Sequence, residues 1–509
     1  MKKWISLLLV VILALGLCAC GGETAKNPEH FSVGYAKTDI TPGGSVPLAG
    51  TGNYDKRLSN QVLDKLYAVC IAFADTQGNR VLLFTLDMLN SYENVIYPLR
   101  ERIAEETGVP YSNVLFTASH THSGTAQDLD GVGTVAAANI EFMDKCAQAA
   151  KDALADLKPA EMFGSFTRPE GLNYVRHYVM KDGTYLGKSV GSFTTDQING
   201  HVHKADNLLQ LVKFVREGGK DVVLINWQAH YWGATKMNDC GISADYPGIL
   251  RSELESRQDC NAAFVLGGSG NLQSYSYIPG ETLAASYVEH GKLLADAAEK
   301  AFDSFQPLET GNIVLQENLY VAEGAIQEIP LYAFGFGDFG MVTVPFEIFD
   351  THAREVREAS NYPYTFYATC ANDRCGYLPD EASFDYVTYE AGTTEYPKGM
   401  GETIRDVMTE MINTCFATSG QTEKSHPEGY LATPFEPYTD NVYYLNTNVG
   451  DTPVLTQSAQ DLYPLVLIAG ESRKRLVVDN RELAEQIVNR EMMKLLFDER
   501  NVVVGIVEE

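Results

Sequence analysis

The chain has 509 residues, 45% hydrophobic and 21% charged, with 67 Asp plus Glu against 39 Lys plus Arg for a net charge of −28. Its length supplies core for one large domain and a smaller one, and its acidic excess excludes nucleic acid and anionic lipid headgroups as general partners. The nine cysteines are scattered rather than framed as a disulfide scaffold.

The chain opens with Lys2-Lys3, an apolar run from Trp4 to Ala19, and Leu17-Cys18-Ala19-Cys20. Basic start, apolar middle and small-residue exit describe an export signal over residues 1–19. The run falls short of the ~20 residues that a spanning helix needs. Leu17 at −3, Ala19 at −1 and Cys20 at +1 form a bacterial lipobox, so Cys20 is the expected lipidation site. Two acyl chains suffice for stable anchoring, and residues 20–30 form a polar tether. The expectation is an extracytoplasmic lipoprotein held at a bacterial membrane.

From residue 31 to 418, short apolar runs alternate with amphipathic stretches. Val81–Leu86, Val114–Ala118, Val222–Ile225, Ala262–Leu266 and Gly340–Val344 read as buried strands. Tyr97–Thr107 reads as a helix with Pro98 in its opening turn and Gly108 past its end, and Ile140–Leu157 as a second, Ala-rich helix. Residues 419–437 contain Pro427, Pro434 and Pro437 and read as a linker. Residues 438–509 read as a small domain with strands at Leu465–Ile468 and Val502–Val507 and a helix over Arg481–Leu496. The fold class is α/β: a large mixed sheet with flanking helices, plus a small C-terminal α/β appendage.

Polar candidates recur just past the buried strands. His120 and His122 follow Val114–Ala118, His230 follows Val222–Trp227, Gly267–Asn271 follows Ala262–Leu266, and Glu347 follows Met341–Pro345. Alternate residues of an extended segment share a face, which predicts His120 and His122 side by side. Two His and one Glu from separate strands suit zinc with a position left open for water. His201 and His203 lie in a polar stretch and read as solvated. Gly267–Asn271 nearly spells the serine-hydrolase elbow, with Ser269 as nucleophile but Asn271 where the last glycine belongs. His290 and His352 read as helical. Two alternatives therefore stand beside a metalloenzyme: a serine esterase using Ser269, and a ligand-binding lipoprotein without catalysis.

The chain resembles the neutral/alkaline non-lysosomal ceramidase family over residues 33 to 402. His120–Gly124 matches its HTHSG signature. Asp39-Ile40-Thr41-Pro42 with Pro47–Gly50, Asn173–Arg176 with Met180–Gly183, Asn226–His230, Ser243–Gly248, Gly270-Asn271, Gly376–Pro379 and Tyr389-Glu390 follow in the family's order. The resemblance implies a zinc amidase with His120, His230, Glu347 and Tyr377 as ligands, and His122, Arg176 and Tyr389 holding the substrate amide. It implies zinc-hydroxide attack on an N-acyl compound, lipid or small molecule. Three departures accompany it. Phe346 stands where the family has glycine, Gln273 stands where ceramidases have serine, and the segment after Tyr389 is shorter and differently patterned than their C-terminal β-sandwich.

Overall fold

The computed structural model describes residues 27–50, 57–127, 133–181, 185–187, 195–233, 240–322, 328–384 and 388–431, and beyond them chiefly the strands of the C-terminal tail. The leader, Cys20 and most of the tether lie outside these residues.

Nine strands form the main sheet: β1 (Ser32–Asp39), β2 (Tyr67–Ala74), β3 (Arg80–Leu86), β4 (Val114–Ala118), β5 (Lys158–Thr167), β6 (Leu209–Arg216), β7 (Val222–Trp227), β8 (Asn261–Leu266) and β9 (Gln306–Leu308). Their spatial order is β8-β7-β6-β5-β1-β2-β3-β4, with β9 paired to β5. Only the outer pairs β3/β4 and β7/β8 are parallel. Both faces of the sheet are covered, which explains the near-continuous apolar runs. On β2, Ala68, Cys70 and Ala72 face one layer while Val69, Ile71 and Phe73 face the other.

The first layer holds helices α1 (Glu93–Thr107), α2 (Gly133–Ala155), α3 (Asp245–Gln258) and α4 (Tyr287–Phe302). The second is a four-stranded sheet of β10 (Val314–Val321), β11 (Glu328–Phe336), β12 (Phe339–Thr343) and β13 (Tyr364–Ala368). Its inner residues Phe334, Phe336, Met341 and Phe366 pack against the main sheet. Its outer face carries α5 (Asp350–Ala359) and α7 (Met400–Ser419), with α6 (Tyr389–Thr393) between them in sequence. The layering is helix, sheet, sheet, helix.

A twist of about 20–25° per neighbouring strand accumulates across an eight-strand path and brings the outer parallel pairs round toward one another. The segment after β13 joins the two edges. Thr369 N donates to Leu266 O of β8 at 3.0 Å, and Asn372 N donates to Phe116 O of β4 at 3.0 Å. The ends of β4, β7, β8 and β12 thus converge. At the other end of β1, the Asn27 amide packs on Gly78 in the turn between β2 and β3.

The expected strands form, each within one or two residues of its predicted bounds. α1 starts at Glu93, four residues ahead of the expected start, so Pro98 lies inside it. Proline removes one helical hydrogen bond there without ending the helix. Gly108 ends α1 in the left-handed conformation, φ 73°. The tail carries a six-stranded sheet: β14 (Val442–Asn446), β15 (Val454–Thr456), β16 (Leu465–Ala469), β17 (Lys474–Val478), β18 (Met492–Phe497) and β19 (Val503–Val507). The helix expected over Arg481–Leu496 is corrected at its C-terminal end, where β18 pairs with β14 and β19. Residues 421–431 return to the main domain, and Tyr430 is buried with its hydroxyl on Gln210 Oε1.

Candidate metal centre

His120 follows β4, but not by simple strand alternation. The strand ends at Ala118, and His120 has φ 62° at the head of a turn. That turn, rather than the pleat, brings His122 beside it, with the two Nε2 atoms 3.2 Å apart. Gly50, φ 98°, makes room for the His122 ring: a Cβ there would sit 2.4 Å from Cγ. Arg57 Nη2 donates to His122 O at 3.0 Å, and its Nη1 to Ala49 O at 2.8 Å, fixing this turn against the Pro47–Gly50 segment.

His230 comes from the end of β7, where its N–H donates to Leu272 O. Glu347 follows β12 in a two-residue strand that pairs in parallel with Tyr377-Leu378, register Glu347 to Tyr377. That pairing places the phenol beside the carboxylate. Phe346 points away: it is fully buried in the outer helical layer, its ring 5.1 Å from that of Tyr396 at 82°. The side chain at the family's glycine position is thus absorbed by core packing.

The polar atoms converge. Glu347 Oε2 lies 3.0 Å from His230 Nε2 and 3.2 Å from His120 Nε2, and Tyr377 OH lies 3.4 Å from His230 Nε2. Donor atoms of His120, His122 and His230 all fall within 4.8 Å of one another. His120 Nδ1 is 2.8 Å from Leu89 O and His230 Nδ1 is 2.7 Å from Ser269 O. A carbonyl only accepts, so each Nδ1 carries the hydrogen and each Nε2 turns its other valence toward Glu347. In neutral imidazoles that leaves two lone pairs and a carboxylate facing one point. Such a cluster can hold a cation.

The electrostatics agree. Burial, with Arg176 nearby, pushes His230 down to about 4, and burial beside His120 holds His122 well below its ordinary value. Burial also opposes charge on His120, but the Glu347 carboxylate outweighs it and raises that imidazole well above the usual range. Burial opposes charge on Glu347 too, yet His120 and His230 hold it well below the carboxylate range. Without metal, one proton on His120 offsets Glu347. The donor set fits a divalent ion that prefers nitrogen and oxygen ligands, zinc among them. Burial and Glu347 raise the Tyr377 phenol well above its ordinary value, which keeps it a neutral hydroxyl in the absence of metal.

Arg176 is buried between Tyr174-Val175 and His177–Met180, with its N–H on Asn271 O at 2.8 Å. Its guanidinium carbon lies 5.5 Å from the Tyr377 ring centre. Tyr389 opens α6, 38% exposed, its ring 5.6 Å from that of Tyr377 at 77°. The Tyr231 ring stacks on His122 at 3.8 Å and 20°. All seven candidate site residues thus meet in one place.

Other expectations fare differently. His201 and His203 are not solvated. His201 is buried with contacts to Val175 O and Glu281, and His203 faces the buried Asp350 at 3.2 Å. Each sits against a carboxylate that the polar sequence around it does not reveal. Ser269 is buried and lends its carbonyl to His230. Gln273 is buried with Nε2 donating to Tyr178 OH at 2.9 Å. His290 and His352 lie on α4 and α5 as expected. Cys370 and Cys375 do not pair and carry free thiols. Glu390, bonded to Arg176 and His177, escaped the sequence reading as a functional residue, although it adjoins Tyr389.

No family model matches the sequence. Neutral ceramidase 2 of Arabidopsis thaliana is 23% identical over 248 residues, 45% of this chain and only 30% of that protein's length. A solved ceramidase complexed with C2 superposes with a TM-score of 0.63 at 14% identity, covering 87% of this chain and 85% of that one. The neutral ceramidase from Pseudomonas aeruginosa gives 0.60 at 15% identity, covering 87% and 84%. The chain thus has the fold of these ceramidases and a distant sequence relationship to the neutral ceramidases. No described helix is long and apolar enough to cross a membrane.

Proposed function

We propose that the protein is a zinc-dependent amide hydrolase acting on an N-acyl substrate, a lipid or lipid-like compound. The observation that carries this is the acceptor cluster of His120, His230 and Glu347, with Nδ1 of each histidine fixed on a backbone carbonyl. Tyr377 completes the ligand set. When bound, zinc supplies a Lewis acid that ionises water near neutral pH. Hydrolysis breaks the C–N bond, puts the water oxygen on the acyl carbon and returns a proton to the leaving amine.

The residues of the chain would do the rest. Negative charge grows on the carbonyl oxygen as the acyl carbon becomes tetrahedral, and His122, Arg176 and Tyr389 would donate to it. The aromatic surfaces of Tyr231, Tyr377 and Tyr389 suit the apolar part of an N-acyl compound. Elemental analysis together with a panel of fluorogenic N-acyl sphingosines, N-acyl amino acids and simple esters tests this reading. Zinc-dependent amide cleavage supports it; ester cleavage without zinc, abolished by Ser269→Ala, would select the serine esterase. Stoichiometric zinc binding with no turnover would select a binding lipoprotein.

The lipobox motivates a second element of the proposal, attachment at Cys20 to a bacterial membrane. Cys20→Ala should move the protein from the membrane to the soluble fraction. An unmodified N-terminus by mass spectrometry would rule the anchor out.

A further inference from the structure

We propose that Glu390 is a positioning residue that aims Arg176, and with it Tyr389, at the substrate carbonyl; this rests on the amide-hydrolase reading. Glu390 is 1% exposed. Its Oε1 lies 2.6 Å from Arg176 Nε and 2.5 Å from Arg176 Nη2, and its Oε2 lies 2.8 Å from His177 Nε2. One carboxylate thus holds two consecutive residues of the segment that pairs with Leu272-Gln273 beside His230. Burial opposes its charge, but Arg176 and His177 hold the carboxyl down at about 2, so the clamp is ionised throughout the neutral range.

Two physical needs meet here. An arginine side chain is rich in rotamers, and a carboxylate on the guanidinium fork removes that freedom before substrate arrives. A buried guanidinium also repels a metal ion nearby, and Arg176 already depresses His230; Glu390 offsets that charge. The same residue is the second of α6, whose Thr388 cap accepts from Ala391 N at 3.1 Å. Fixing Glu390 therefore also fixes Tyr389 through the backbone of one helical turn.

The test compares Glu390→Gln, Glu390→Asp, Arg176→Ala and the Glu390→Gln/Arg176→Ala double variant, each assayed for zinc, kcat and KM. Glu390→Gln should retain zinc and lose about tenfold in kcat with KM within about twofold, because a misaimed donor is missed mainly in the transition state. Glu390→Asp, which keeps the charge, should recover part of that loss. The double variant should be slower than Arg176→Ala alone by clearly less than the Glu390→Gln factor, because Glu390 acts chiefly through Arg176 and only secondarily through Tyr389. Parental kcat in Glu390→Gln, or losses that multiply in the double variant, overturns this inference and leaves the hydrolase reading standing. Failure of both single Glu390 variants to fold overturns it as well, since Glu390 is then structural. A parent with no amide turnover overturns both.

Discussion

The α-carbon of Gly270 faces the main-chain carbonyl of Glu347 so closely that a Cβ there would lie 2.3 Å from the oxygen. Gly270 N also donates to Ile348 O at 2.8 Å. The glycine loop after β8 is thereby the surface on which the Glu347 strand rests, and the neighbouring Ser269 carbonyl orients His230. Gly270→Ala cannot be relieved by a rotamer change, because the obstacle is backbone. The variant should fold with lowered Tm and bind zinc at least tenfold more weakly, read by scanning calorimetry and competition with a chelator. Parental zinc affinity would show that Glu347 is placed by other contacts.

Removing a ligand should empty the metal site without unfolding the domain. Both faces of the main sheet are packed by apolar layers that exclude the metal site. His230→Ala and Glu347→Gln should therefore keep the parental far-ultraviolet spectrum and lose stoichiometric zinc. Both variants retaining zinc would overturn the assignment.

Metal uptake should release a proton. His120 is held protonated above its ordinary range by Glu347 in the metal-free protein, and a ligating imidazole must give that proton up. Titration calorimetry of zinc into the apoprotein at neutral pH, in buffers of different ionisation enthalpy, should report about one proton released beyond those from water. Zinc affinity should fall as pH is lowered. Release of no proton beyond those from water would mean that His120 is neutral before metal binds.

Residues that hold substrate should spare the metal. His122→Ala, Arg176→Ala and Tyr389→Phe should each retain zinc, with turnover per zinc reduced on the order of a hundredfold for the two former. His122 carries the sharper question, because its Nε2 is as near to His120 Nε2 as Glu347 is. Loss of zinc in His122→Ala would make it a ligand.

Acid should weaken the protein through buried carboxylates. Burial raises Asp350, but His203, then Asn271 and the Asp206 N–H, bring it down to about 2 against an ordinary 3.8. A depressed carboxylate stabilises the fold above the unfolded value, and that contribution is lost as pH falls from about 4 to 2. It is worth on the order of 2 kcal/mol. Urea midpoints at pH 6 and pH 2.5 should differ less in Asp350→Asn than in the parent. Equal pH dependence in the two would show that Asp350 is ionised as easily unfolded as folded.

Much of this site was legible because chemistry-bearing residues sit directly after apolar runs. His120, His230 and Glu347 are each two to four residues beyond a buried strand, and strand ends are where rigid elements deliver side chains. What lay hidden depends on long-range geometry. The second sheet covers a main sheet already buried on its other face, and a run apolar on both faces shows no alternation to say what covers either. Polar residues around His201 and His203 suggested solvent, because Glu281 and Asp350 lie far away in the chain. The left-handed turn at His120 has no sequence signature, since histidine adopts it only where contacts such as the Leu89 carbonyl hold it. Glu390 is an ordinary acid in an acidic chain until it is seen between Arg176 and His177.

The entry of the chain beside Gly78 has an orientational consequence. β1 runs eight residues from that turn, about 25 Å at the usual rise, and its register through β2 and β3 puts Thr38, not Ser32, level with Ala118 of β4. Asn27, where the described chain enters, therefore lies on the side remote from His120. Coupled to a support at Asn27 itself, the protein would turn its His120 rim outward, toward molecules arriving from the surrounding medium.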